Sequence, residues 1–146
     1  MNVTIRELQI TDIHDVMEIE ENCFSVPWSE EAFKGEIKHQ NTYYNCIEIN
    51  NKVIGYAGLW KILDEGHITN IAIIPMYRKR GYGKKLVEDL IVYCMNNSIN
   101  RVTLEVRESN YEAKKLYKKM GFEVAGKRPN YYTKPTENAE IMWYEI

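Results

Sequence analysis

Arg78-Lys79-Arg80-Gly81-Tyr82-Gly83 follows an apolar, strand-like run from Ile68 to Ile74 and opens a helix-like segment that begins near Lys84. A strand that turns through glycines into a helix is built to hold an anion. Gly81 and Gly83 have no Cβ, so the backbone can approach a phosphate closely and present successive N–H groups at the positive end of the helix. Read alone, the same residues also describe a solvated basic turn, so the flanking sequence has to decide. A P-loop is excluded because Arg78 stands where its first glycine belongs and Lys85 where Ser or Thr should follow. A dinucleotide fingerprint would need a third glycine where the chain has Leu86; Glu105 has the spacing of its acidic residue, but the glycine is missing.

Upstream, Val3 to Leu8 alternates weakly as a strand, and Thr11 or Asp12 can cap a helix carrying Ile13, Val16, Met17 and Ile19 at helical spacing. Ser29 is a strong N-cap, with Trp28 and Phe33 spaced as a hydrophobic staple, for a second helix to about Lys38. Tyr43 to Ile49 and Val53 to Ile62 form a hairpin across Asn50-Asn51, and Asp64-Glu65-Gly66 turns the chain into the strand before the glycines. Downstream, Leu86, Val87, Leu90, Ile91 and Cys94 share one helical face, and Arg101 to Val106 is a strand. A strand, a helix and a second strand in one sheet imply a parallel crossover. Ser109 to Glu112 reads as a capping box, and Gly121 as the stop of the helix it opens. Phe122 to Ala125 and Ala139 to Glu145 are the last strands, with Arg128-Pro129-Asn130-Tyr131-Tyr132 in a loop between them. The fold class is α+β: a mixed, mostly antiparallel sheet with flanking helices in a single domain, residues 1–146.

With 146 residues, 45% of them hydrophobic, the chain can bury roughly two-thirds of its unfolded surface. The net charge of −2 gives no global pull toward nucleic acid, which makes the basic cluster local and favours a small anionic ligand. Cys23, Cys46 and Cys94 show neither metal-ligand nor redox spacing and read as reduced thiols. No signal-type segment or long apolar run is seen, so the expected location is cytoplasmic, with no membrane partner.

Two residues stand out for chemistry. Val102, Leu104 and Val106 take one face of their strand, which leaves Glu105 on the other with Thr103 and Arg107. Tyr117 falls on the inward face of its helix with Ala113 and Met120, and its hydroxyl needs a partner. The first also reads as a solvated carboxylate and the second as plain core. Asn110 either tolerates the turn or hydrogen-bonds a ligand.

Pro27-Trp28-Ser29, Asn70 to Ile73, Arg78 to Gly83, Leu104 to Arg107, Ser109-Asn110, Leu116-Tyr117, Gly121-Phe122 and Arg128 to Tyr132 occur in the order and spacing of the GNAT acetyltransferases. The chain resembles their RimI-like branch, which acetylates the N-terminal alanine of a ribosomal protein. The resemblance implies acetyl-coenzyme A as cosubstrate. It implies contacts from Ile71, Ala72, Ile73, Lys79, Arg80, Gly81, Tyr82, Gly83, Lys84 and Asn110, with Arg78 opening the pyrophosphate loop. It also implies Glu105 as general base and Tyr117 as general acid, and no metal. Arg128, Asn130, Tyr131 and Tyr132 suit an extended peptide acceptor, although the tyrosines would also serve simply to pack a loop. Asn138 departs from the branch, which has Asp there; if that Asp matters for acceptor recognition, the substrate differs.

The acceptor chemistry is consistent with these roles. An α-amine of pKa about 7.7–8.0 is about a tenth to a fifth neutral at pH 7, whereas a lysine side chain near 10.4 is almost wholly charged. One modest base therefore suffices for an N-terminus. Tyr117, near pKa 10, is too weak an acid to protonate freely a thiolate near about 8.5 and is expected first to hydrogen-bond the departing sulfur. Two other readings stay open: a small-molecule amine as acceptor, or a non-catalytic acyl-coenzyme A sensor, which would need neither Glu105 nor Tyr117.

Overall fold

The computed structural model describes residues 2–146. It contains one seven-stranded sheet in the order β1-β2-β3-β4-β5-β7-β6. β1 (Val3–Glu7), β2 (Thr42–Ile49), β3 (Lys52–Ile62) and β4 (Glu65–Ile73) form an antiparallel run. Asn50 and Asn51, at φ 51° and 67°, make the two-residue turn between β2 and β3; both central positions of that turn require positive φ, which asparagine tolerates. Helix α3 (Tyr82–Met95) carries the chain across to β5 (Arg101–Arg107), which runs parallel to β4 as the crossover rule requires. β7 (Glu137–Glu145) pairs antiparallel with β5, and β6 (Glu123–Tyr132) closes the edge.

Two apolar clusters cover the two faces. Leu86, Val87, Leu90 and Cys94 of α3, with Tyr117 of α4 (Tyr111–Met120), pack on one face against Ile47, Leu59, Leu104 and Met142. Val16 and Ile19 of α1 (Ile13–Cys23) and Phe33 of α2 (Glu30–Lys38) pack on the other, against Tyr44, Cys46, Tyr56 and Ala72. Ser29 caps α2 through its hydroxyl, which accepts the Ala32 N–H at 3.1 Å, and Trp28 meets Phe33 edge to face at 6.1 Å. The staple expected from the sequence is formed.

Three local expectations need correction. The cap of α4 is Asn110 and not Ser109: Asn110 Oδ1 accepts the Ala113 N–H at 3.2 Å, while Glu112 reaches away to Lys79. The Arg128 to Tyr132 segment is not a loop but the last half of β6, because its tyrosines favour the pleat and Tyr132 pairs with Glu137 across a bulge. The turn before β4 is made at Leu63, at φ 57°, so that β4 already starts at Glu65.

Candidate active site

The sheet comes apart where the strand–turn–helix signal begins. β4 and β5 are in register only from Glu65↔Arg101 to His67↔Thr103, and beyond that point they diverge. β4 has a bulge just there, since Gly58 faces Asn70 and Leu59 faces Ile68, leaving Thr69 as the extra residue. Residues 68–71 and 104–107 form the walls of a cleft of about 700 Å3. With no neighbouring strand to take them, the backbone groups on that side of β4 before Ile73 are open to a ligand, whereas Ile73 O accepts from Arg78 Nε and Cys23 Sγ.

Glu105 and Tyr117 both line this cleft and enter it from opposite faces of the sheet. Val102, Leu104 and Val106 belong to the core under α3 and α4, so Glu105 projects to the α1/α2 side. Its carboxylate, 22% exposed, lies 3.6 Å from Arg128 Nε. Tyr117 comes from the α4 side, buried and tilted against Phe122 at 5.8 Å. Among the described residues no side chain or backbone group hydrogen-bonds its hydroxyl, and burial raises its pKa, so the group stays a donor throughout the neutral range.

Gly81 has φ 83° and is the N-cap of α3, and a Cβ there would project into open space. The first backbone N–H to bond within the helix is that of Lys85, to Gly81 O at 3.2 Å, so the amides before it are available to an anion. The cationic side chains before the helix are engaged within the protein: Arg78 Nε donates to Ile73 O at 2.9 Å, Lys79 pairs with Glu112 at 3.3 Å, and Arg80 lies over the Tyr77 ring at 5.7 Å. Asn110 lines the cleft at the start of α4; its Oδ1 is used for the cap, which leaves its N–H groups for a ligand. Ala72, Ile73 and residues 78–84 do not line the cleft itself; the turn before α3 adjoins α4 through the Lys79–Glu112 pair, and its open amides suit a pyrophosphate.

Tyr131, Tyr132 and residues 133–135 line the same cleft, as do Phe24, Ser25 and Val26 of the α1–α2 loop. Arg107 holds the segment from Tyr132 to Glu137 together. Its guanidinium donates to Pro135 O at 3.0 Å and Thr133 O at 3.2 Å, pairs with Glu137 at 3.2 Å and lies 4.5 Å from the Tyr132 ring centre. Arg128 lies over Tyr131 at 5.6 Å. Asn130 does not enter the cleft lining; its N–H donates to Asn138 Oδ1 at 3.0 Å. Arg107 was visible in sequence only as a companion of Glu105, two residues along the same strand face.

A family model for the acetyltransferase (GNAT) family matches residues 13–122. The chain belongs to the GNAT acetyltransferase family. It is 40% identical, over 97% of its own length and 95% of the other's, to a putative [ribosomal protein bS18]-alanine N-acetyltransferase of Bacillus subtilis, strain 168. It is 36% identical, at 95% coverage of both chains, to the [ribosomal protein bS18]-alanine N-acetyltransferase of Escherichia coli K12. The crystal structure of the Escherichia coli ribosomal-protein-S18-alanine N-acetyltransferase superposes with a TM-score of 0.91 at 35% identity, covering 99% of this chain and 94% of that one. The GNAT fold inferred from the ordered motifs is thus confirmed.

One buried group escaped the sequence reading. Glu20, fully buried, accepts the Trp28 N–H at 2.8 Å through Oε1 and the Tyr56 hydroxyl through Oε2, and Tyr56 in turn accepts from Asn70 Nδ2 at 3.1 Å. Burial raises the pKa of Glu20, and its two donors act against that rise. The signal was present: a carboxylate four residues after Val16, on the stripe that faces the core.

Proposed function

We propose that the protein transfers acetyl from acetyl-coenzyme A to the α-amino group of a protein N-terminus, that of a ribosomal protein beginning with alanine, in the cytosol and by direct attack in a ternary complex. The observation that carries this reading is the split between β4 and β5, with the Glu105 carboxyl group on one side and the Tyr117 phenol, without a hydrogen-bond partner among the described residues, on the other. The identities of 36–40% to enzymes named for bS18 alanine support the choice of acceptor.

In this reading Gly81 to Lys84 hold the pyrophosphate through backbone amides, helped by the helix terminus. The edge of β4 from Ile71 to Ile73, with Ile73 O already held by Arg78, offers its remaining backbone groups to the pantetheine amides and its N–H groups to the thioester carbonyl, and Asn110 contributes its N–H groups. When bound, acetyl-coenzyme A supplies the activated acyl group and a thiolate leaving group. Glu105 takes a proton from the α-amine, directly or through one water, as the N–C bond forms. Tyr117 donates its hydrogen bond to the sulfur as the C–S bond breaks. Its raised pKa makes it a poorer proton source than an exposed tyrosine, so its main work is to stabilise the thiolate, which solvent then protonates. The acceptor lies between the α1–α2 loop and Tyr131–Tyr132, with Arg128 and Asn130 on the same strand.

Incubation with labelled acetyl-coenzyme A and peptides beginning Ala, Ser, Met or Gly tests the proposal. Label on the α-amine of the Ala peptide is the expected result. Label found only on free small amines or on lysine side chains would overturn the assignment of the acceptor.

A further inference from the structure

The relay from Glu20 through Tyr56 to Asn70 has a fixed polarity. Glu20 receives two donors, the Trp28 N–H and the Tyr56 O–H. A hydroxyl has one hydrogen, so with that hydrogen given to Glu20 the Tyr56 oxygen can only accept. Asn70 must therefore turn its amide N–H toward Tyr56, as the 3.1 Å contact places it, and its carbonyl oxygen Oδ1 is left for the cleft, which Asn70 lines. The neighbouring bulge residue is pinned in a similar way: Thr69 Oγ1 lies 3.2 Å from the Tyr44 hydroxyl, which is 3.1 Å from Glu36 Oε1.

Position decides what such an acceptor atom meets. Tyr56 and Ala72 belong to the core under α1 and α2, and Asn70, two residues before Ala72, projects to that face. Glu105 projects to the same face from the other wall of the cleft, whereas Tyr117 enters from the opposite one. The group that meets the base is the attacking amine. It approaches carrying two or three N–H donors, and an acceptor on the wall opposite Glu105 can hold one while Glu105 takes another. The geometry points to Asn70 as an acceptor-binding residue: its carbonyl oxygen, oriented by Glu20 through Tyr56, takes a hydrogen bond from the attacking α-amine and aims the nitrogen lone pair at the thioester. This inference rests on the proposed N-terminal acetyltransferase reading. It adds a specific role for Glu20, which through the Trp28 N–H also anchors the loop forming the acceptor wall. Acceptor wall and amine-holding residue are thus set by one buried carboxylate.

The test compares the wild type with Asn70→Ala, Tyr56→Phe and Glu20→Gln. It measures peptide KM and kcat on an Ala-initial peptide, coenzyme A affinity by calorimetry, and melting temperature. Removing a hydrogen bond to an amine that carries charge should raise the peptide KM or lower kcat/KM by about 10- to 100-fold in Asn70→Ala, with coenzyme A affinity within about twofold. Tyr56→Phe keeps the ring and loses only the hydroxyl, so the Asn70 amide is free to turn; the effect should have the same sign and be smaller. Glu20→Gln should resemble it, because a glutamine that still accepts the Trp28 N–H presents a donor to a hydroxyl already receiving one from Asn70. Should Asn70→Ala fail to fold, Tyr56→Phe decides. A fall in coenzyme A affinity, or in melting temperature alone with peptide kinetics unchanged, would overturn the inference. If the wild type acetylates only small amines such as spermidine, the N-terminal reading fails while Asn70 is judged by the same comparison on that amine; if it acetylates no amine, both are overturned.

Discussion

The two ends of the candidate site are built on different principles. The cofactor end, β4 with Gly81 and the start of α3, offers backbone from one continuous stretch of chain, whereas the cleft wall formed by Phe24 to Val26, Glu105, Arg107 and Tyr131–Tyr132 presents side chains from segments far apart in sequence. Backbone recognition needs only a strand, a glycine at positive φ and a helix terminus, and it tolerates change in every side chain that does not block the amides. Side-chain recognition depends on particular groups held by other groups, as Arg107 holds residues 133–137 and Glu20 holds Trp28. A local motif records the first kind of site; the second exists only after folding.

That difference explains what could be read in advance. The strand–turn–helix unit, the parallel crossover and the Asn50-Asn51 hairpin were legible because each is decided by neighbours in sequence. Glu105 and Tyr117 were legible as candidates from period-2 and helical spacing, but their placement on opposite faces of one split depends on where β4 and β5 part, and that bulge has no signature in the sequence. Asn130 and Arg128 were misplaced because a tyrosine-rich segment with a proline resembles a loop until its pairing partner is known. Once Tyr132 pairs with Glu137, the segment becomes an edge strand.

The largest effect should come from Glu105→Gln, which leaves the backbone end intact and removes the base: turnover on an N-terminal amine should fall by about 10² to 10⁴ with coenzyme A affinity unchanged. Steady-state kinetics at pH 6–9 with parallel calorimetry checks this. Unchanged turnover would return Glu105 to the role of partner to Arg128.

Gly81→Val probes the other end. A β-branched residue at φ 83° is strained, and the turn must shift its amides, so coenzyme A binding should weaken on the order of tenfold or more. Lys61→Ala, on β3, should leave it unchanged. Equal affinities for the two variants would break the claim that this end works through its backbone.

Tyr132→Ala should raise peptide KM about five- to tenfold, a loss in the range of one aromatic contact plus the Arg107 stacking, with coenzyme A affinity unchanged. Tyr132 is half-buried, so a small loss of melting temperature is expected alongside. A large loss with KM unchanged would make the tyrosine a packing residue and favour a small-molecule acceptor.

The smallest effect is expected where the sequence departs from its branch. Asn138 replaces the branch's Asp, and an acceptor-recognition role for that position would make the replacement a specificity change. In the structure Asn138 instead ties the strands together. Its Oδ1 accepts the Asn130 N–H at 3.0 Å across the bulge between β6 and β7, and its backbone oxygen accepts the Glu108 N–H at 3.1 Å. An aspartate oxygen accepts the same N–H, and a backbone oxygen is indifferent to the side chain, so neither bond depends on the replacement. Asn138 is also absent from the cleft lining, unlike its neighbour Glu137. Asn138→Asp should therefore change kcat/KM for an Ala-initial peptide by less than about twofold, within the range of a half-buried charge on a bulge that keeps its hydrogen bond. A tenfold change in the preference between Ala- and Ser-initial peptides, measured in competition, would show that the β6–β7 bulge reads the acceptor after all, and would extend the side-chain-built end of the cleft beyond Tyr131 and Tyr132.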